Sequence, residues 1–328
     1  MIAATVVRIK QEIERARKIL LSTHQGPDGD GLGSEIALAL YLKAVGKSPT
    51  ILNPDGTPER YHFLDPGQDI RVFDDKTGPA LIRDADLLFM LDNSSLNRLG
   101  TMEPHVQSCD LVSICVDHHS TTDGFWTINL IDETACATGE MIFDLVTALG
   151  GYPDLPAAIA LYTALVTDTG HFRFSKTSPR SHRIASELLR LGVDPARVYQ
   201  EVYERNSESF VRLMGVALAG ARLEGAGGLA WIALTRKQIL DCRAEQADTS
   251  EIVNHLFTIQ GVRIALLFKE LPDGRVKVSL RSKGAIDIHQ VAARFQGGGH
   301  QNASGAVLEG PLETAIQRVL GDAKPLLA

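Results

Sequence analysis

The 328-residue chain has only four cysteines, Cys109, Cys115, Cys136 and Cys242, scattered and without a C-x-x-C pair. That pattern excludes a disulfide-stapled scaffold and suits reduced thiols in a cytoplasmic protein. Long apolar runs are missing too. Arg8, Lys10, Glu12, Glu14, Arg15, Arg17 and Lys18 interrupt the first twenty positions, so neither a signal-peptide core nor a spanning segment is expected there. Nor is there a cationic excess: the formal net charge of −7 argues against a protein that tracks long nucleic acid, where many phosphates must be neutralised. The deficit is uneven, with 21 basic and 30 acidic side chains in residues 1–226 against 12 and 10 in residues 227–328. Phosphate-attracting charge is therefore expected mainly in the C-terminal part. Repeats and low-complexity tracts are absent, and 44% hydrophobic with 22% charged residues is an ordinary balance for a globular chain long enough for two domains.

What is present is an alternation of strands and helices up to about residue 190. An amphipathic helix precedes the strand ILLST, a Gly/Asp-rich loop follows His24, and a helix is expected from near Ser34 to Gly46. PTILN reads as the next strand, and residues 53–80 as loop with one short helix. DADLLFMLD and DLVSICVD are continuous apolar runs, as expected of strands buried on both faces. ATGEMIFDLVTALGG, PAAIALYTALVTD and SHRIASELLRLGVDP carry helical patterns. The fold class is α/β: an N-terminal parallel sheet with helices on both faces over residues 1–194, a helical linker over 195–226, and a smaller α/β domain over 227–328. In the latter, GLAWIALT and the hairpin VRIALLFKELPDGRVKVSLRS supply strands, IDIHQVAARF and LETAIQRVL supply helices, and QGGGHQNASG reads as a glycine-rich loop.

Several apolar segments end in an acid or an imidazole. They deliver His24, Asp28 and Asp30 (THQGPDGD), Asp92 (FMLDNS), His118 and His119 (VDHHS) and Asp168 (VTDTG). Each alone has an ordinary explanation: Asp28 and Asp30 as turn formers, Asp92 and Asp168 as helix caps, the two histidines as a satisfied core pair. Their coincidence at the ends of four segments, where an open α/β sheet presents ligands, points instead to a metal centre of His24, Asp28, Asp30, Asp92, His118 and Asp168. Four carboxylates close together repel one another, and two divalent cations balance them. Mixed oxygen and imidazole ligands suit manganese, with iron, cobalt or magnesium as alternatives, and two such ions about 3.5–4 Å apart suit in-line attack on a phosphoryl group. His119 is expected beside the ions, touching the phosphate or protonating the leaving oxygen. An EF-hand fails because Leu32 and Ala39 stand where oxygen ligands are needed, and a dinucleotide fingerprint fails at Ser34.

A dimetal site holds phosphate without choosing what the phosphate is attached to. Arg281 in VSLRSKG suits phosphate recognition, Gly298 and Gly299 free the backbone for close approach, and His300 and Asn302 offer side-chain donors.

THQGPDGDGLGS, LDNSS, VDHHS and TDTGHF resemble the four motifs of the DHH phosphoesterase family, and SLRSKGAIDIHQVAARFQGGGHQNASG resembles its associated DHHA1 substrate-binding domain. In length and plan the chain is most similar to the nanoRNase and phosphoadenosine-phosphate phosphatase type. The resemblance implies a manganese-dependent enzyme that degrades very short oligoribonucleotides to mononucleotides, strips the 3′-phosphate from 3′-phosphoadenosine 5′-phosphate, and in some relatives cleaves linear or cyclic dinucleotides. It implies catalytic roles for Asp92, His118 and His119, the six metal ligands named above, and substrate contacts from His119, Arg281, Gly298, Gly299 and His300. Gly31, Asn93 and Gln301 depart from the family's common Ala, Thr and Lys, the last removing a positive charge. The rival readings are a RecJ-type single-strand exonuclease, a family pyrophosphatase, and a nucleotide sensor without turnover. Expected partners are short oligoribonucleotides or nucleotide bisphosphates, with no long duplex and no membrane; oligomeric state, a homodimer included, is left open.

Overall fold

The computed structural model describes residues 2–119, 124–247, 249 and 251–327, without the side chains of Ile2, Ala3 and His300. The chain forms two compact units, residues 1–205 and 206–328. The stretch expected as a linker forms two helices, one in each unit.

The first unit runs α1 (Ile2–Arg15), β1 (Lys18–Ser22), α2 (Gly29–Ala44), β2 (Ser48–Asn53), β3 (Arg71–Val72), α3 (Gly78–Arg83), β4 (Leu87–Leu91), α4 (Glu103–Gln107), β5 (Ser113–Asp117), β6 (Ile128–Ile131), α5 (Thr138–Ala148), α6 (Leu155–Asp168), α7 (Pro179–Arg190) and α8 (Pro195–Tyr203). Its six strands are all parallel, in the order β3-β2-β1-β4-β5-β6. Side chains alternate across a strand, so an unbroken apolar run feeds two cores at once. In β4, Leu87, Phe89 and Leu91 enter the core under α1, α2, α5 and α6, while Leu88 and Met90 enter the one under α3 and α4. The chain runs outward from β1 to β2 and β3, then returns to lay β4 on the other side of β1. That reversal opens a crevice beyond the carboxyl ends of β1 and β4.

The Gly/Asp-rich segment differs from its expected loop form. Asp28 is the N-cap of α2, its Oδ1 accepting from the amides of Asp30 and Gly31 at 3.0 and 3.1 Å, so the helix begins five residues before Ser34. Glycine serves this first turn because α6 crosses it closely: a Cβ on Gly33 would lie 2.3 Å from the Ala160 carbonyl oxygen. Packed between sheet and α6, α2 is buried along most of its length.

The second unit runs α9 (Glu208–Ala219), β7 (Arg222–Glu224), β8 (Leu229–Leu234), α10 (Arg236–Asp241), β9 (Ile264–Glu270), β10 (Val276–Ser282), α11 (His289–Arg294), β11 (Gly298–His300), β12 (Ala303–Leu308) and α12 (Leu312–Ala323). Its sheet, ordered β11-β12-β10-β9-β8-β7, is antiparallel except where β8 meets β9. The glycine run, which alone would more often be a tight turn, contributes to edge strand β11, paired with β12. Glycine has low strand propensity, but cross-strand pairing to Gly305, Ser304 and Ala303 overrides it.

Candidate metal centre

His24 lies just beyond β1, Asp92 follows β4, and His118 and His119 follow β5, so three neighbouring parallel strands aim their ends at the crevice. Asp28 and Asp30 come from the start of α2. Asp168 is the last residue of α6 and reaches the site from a helix end rather than from a strand.

The side chains converge in three overlapping groups, one of them Asp92, His118 and His119. His24, Asp28 and Asp92 place ligand atoms within 4.8 Å of one another, and so do Asp30, His118 and Asp168. Asp92 joins the groups: its Oδ2 is 3.5 Å from His24 Nε2 and its Oδ1 is 3.5 Å from His118 Nε2. His118 Nε2 also lies 3.7 Å from Asp30 Oδ2 and 3.4 Å from Asp168 Oδ2, and His24 Nε2 lies 3.9 Å from Asp28 Oδ2. All six residues expected as ligands are thus brought together. Asp28, which alone would read as a turn former, uses one oxygen as a helix cap and turns the other toward His24.

Each imidazole is set by a backbone carbonyl on its far side. His24 Nδ1 is 2.8 Å from the Gln25 oxygen, and His118 Nδ1 is 3.3 Å from the Ala135 oxygen. A proton held there leaves Nε2 as a lone pair facing the carboxylates, the tautomer a cation requires. His118 Nε2 is buried and has no hydrogen-bond partner. Burial together with the charges of Asp92, Asp168 and Asp28 pushes the Asp30 carboxyl well above its ordinary range, and burial with Asp92 and Asp28 pushes Asp168 up to about 8. Asp92 is the exception: burial opposes its charge, but His24, His118 and His119 hold it below the ordinary range. An orphaned imidazole nitrogen among mutually repelling carboxylates is a donor set that fits divalent cations.

Several residues that shape the site escaped the sequence reading. The amides of Thr138 and Gly139, at the start of α5, donate to the two Asp30 oxygens at 2.7 and 2.8 Å, and the Thr138 hydroxyl donates to Asp92 Oδ1 at 3.0 Å. Asp117 receives His119 Nδ1 at 2.7 Å and the His119 amide at 3.1 Å. Burial opposes a charge on His119, yet Asp117, Asp92 and Asp168 raise its pKa. Asp92 takes a left-handed backbone, φ +56°, the type of local strain that accumulates where a side chain must be aimed. Behind the His24 loop, the Thr23 amide donates to Asn53 Oδ1 at 3.2 Å and Asn53 Nδ2 donates to Glu35 Oε2 at 2.9 Å. Burial pushes Glu35 up to about 8.

In the second unit the strand register sets Ala303 opposite both Arg281 and His300, so those two positions share one row across the sheet. Arg281 is half-buried, with Nη1 donating to the Leu280 oxygen at 3.1 Å. Gly298 has open space where a Cβ would stand, whereas Gly299 has φ +134° and a Cβ there would meet the Ala303 oxygen at 2.4 Å. The His300 side chain lies outside the described part. Asn302, expected to offer a donor to a ligand, spends its amide on Ser282 Oγ and the Gly284 and Ile286 oxygens at 2.8–3.0 Å, holding the 282–288 turn instead.

Comparison with known proteins identifies relatives of the whole chain. The N-terminal domain of the DHH family matches residues 18–167, and the DHHA1 domain matches residues 235–326. The chain is 31% identical to the bifunctional oligoribonuclease and PAP phosphatase NrnA of Thermus thermophilus, over 96% of this chain and 92% of that protein. The crystal structure of an exopolyphosphatase-related protein from Bacteroides fragilis superimposes with a TM-score of 0.94 at 31% identity, over 99% of this chain and 97% of that one. RecJ from Thermus thermophilus, solved in complex with Mn2+, is similar in fold alone, with a TM-score of 0.55 at 14% identity over 99% of this chain and 55% of RecJ.

Proposed function

The chain belongs to the DHH family and is a hydrolase, and from that premise we propose that it hydrolyses short oligoribonucleotides to mononucleotides and 3′-phosphoadenosine 5′-phosphate to AMP, with linear or cyclic dinucleotides as further candidates. Two divalent cations, Mn2+ foremost, would be held by His24, Asp28, Asp30, Asp92, His118 and Asp168. The observation that carries the reading is Asp92, whose two oxygens reach an imidazole of each ligand group. When bound, the cations would act as Lewis acids toward the phosphoryl oxygens and the attacking water.

The chain's own residues supply the rest. His24 and His118 turn Nδ1 to backbone carbonyls, so with the proton at Nδ1 each would offer Nε2 to a cation. His119, half-buried and steered by Asp117, is the proton donor to the ribose oxygen that leaves as water adds to phosphorus. Arg281, Gly298, Gly299 and His300 would select the substrate. The acidic chain favours small substrates over a long strand. Among the described residues no helix is long and apolar enough to cross a membrane, and the reading has the protein acting in the cytoplasm.

The test is a substrate panel with Mn2+: 3′-phosphoadenosine 5′-phosphate, di- to pentaribonucleotides, a linear and a cyclic dinucleotide, pyrophosphate, and a long single strand. Release of AMP and mononucleotides from the small substrates is expected. Equal or faster degradation of the long strand would point to an exonuclease of the RecJ type, preferred pyrophosphate to a pyrophosphatase, and tight binding without products to a sensor.

A further inference from the structure

Ten residues separate Asp168 at the end of α6 from Pro179 at the start of α7, and they are tightly held. Gly170, His171 and Phe172 all take left-handed backbone angles, φ +55°, +58° and +62°. The His171 amide returns to the Val166 oxygen at 2.8 Å, and those of Arg173 and Phe174 to the Thr169 oxygen at 3.1 and 3.0 Å. The result is a fixed turn that carries Lys176 back to the metal centre, where its Nζ donates to the His118 carbonyl oxygen at 3.2 Å. Nζ also lies 3.4 Å from His118 Nδ1, which faces the Ala135 carbonyl oxygen at 3.3 Å. An ammonium has three donors, and the Lys176 side chain belongs to an exposed residue.

Charge counting gives this lysine a task. Two divalent cations would balance Asp28, Asp30, Asp92 and Asp168, and Asp117 is paired with His119. Every phosphate of a bound substrate then adds uncompensated anionic charge; the scissile one would face the cations, and a second one needs a cationic partner elsewhere. Lys176 stands at the rim beside His118, on the side of the Asp30–His118–Asp168 group.

We propose that Lys176 is a substrate-binding residue whose ammonium grips the non-scissile phosphate of a short nucleotide, giving the enzyme a preference for substrates that carry such a second phosphate. The inference rests on the hydrolytic reading above and names a determinant of its substrate class.

The test compares two diribonucleotides that differ only in a 5′-phosphate, using the full chain with Mn2+ and the variants Lys176→Met and Lys176→Arg. The parent should prefer the phosphorylated substrate by about tenfold or more in kcat/KM, as expected for one charge-assisted contact. Lys176→Met should abolish that preference through KM, Lys176→Arg should keep most of it, and Mn2+ stoichiometry by titration calorimetry should match the parent in both. A preference that survives in Lys176→Met, an equal fall of kcat on both substrates, or lost Mn2+ binding overturns the inference alone, the last two because they mark a brace for His118. A parent inert toward every short nucleotide overturns the hydrolytic reading and this inference with it.

Discussion

The two units handle polar chemistry in opposite ways. The first buries it: His24, Asp30, Asp92 and His118 are each less than 5% exposed, oriented by carbonyls, amides and a hydroxyl. The second keeps it near the surface, with half-buried Arg281 and an edge strand in which Gly298 has open space where a Cβ would stand. Buried charge is costly until cations arrive and, once paired, is rigidly placed for a transition state. A polar edge costs little and suits recognition, where many weak contacts sum. Under the proposed function the buried cluster would carry the reaction, and the polar edge would take part in selection alongside Lys176.

The sharpest way to break this division is Asp92→Asn. Losing the shared carboxylate should lower kcat by about 10³-fold or more on every substrate, equivalent to roughly 4 kcal/mol, and reduce Mn2+ stoichiometry in calorimetry. Activity near the parent level would contradict the ligand assignment. Arg281→Ala should act on the other side of the divide, raising KM about tenfold with kcat within about threefold, as for a lost charge-assisted contact. A fall confined to kcat would mean that Arg281 serves the reaction.

A smaller effect sharpens the contrast through pH. Glu35 titrates near 8 in the folded protein because burial disfavours its anion, against an ordinary value of 4.5. Between those values the unfolded chain has released a proton that the folded chain retains, so stability falls as pH rises from about 4.5 and levels off above 8. Glu35→Gln should therefore change urea stability little at acid pH and raise it by about 3–5 kcal/mol above pH 8, an upper range set by the full shift. An equal effect at both pH values would refute the raised pKa. In the second unit the shifted carboxyls move the other way, Glu224 held down by Lys324 and Asp273 by Arg275.

How much of this was legible depended on whether the cause was local. β4 and β5 could be read because strands buried on both faces need continuous apolar runs, and both end at site residues. The convergence of His24, Asp28, Asp30, Asp92, His118 and Asp168 was legible because acids and imidazoles recur at the ends of several segments of one α/β sheet. β6 was not read: INLI is short, with one strand neighbour, and its pairing to β5 is a tertiary fact. The early start of α2 was hidden because glycine propensity argues against a helix, and only the approach of α6 explains the choice. Thr138 and Gly139 act through backbone amides that no residue type announces. Asn302 misled because its amide looked available and is consumed by the 282–288 turn.

The near-contact of Gly33 with the Ala160 carbonyl sets more than packing density. Asp28 and Asp30 ride on one of the crossing helices and Asp168 on the other, so the interval between those carboxylates is governed by a position with no side chain at all. A methyl group added at residue 33 would wedge the helices apart and spread the carboxylates. The proposed cation site would then be weakened while every residue proposed to coordinate remained in the sequence.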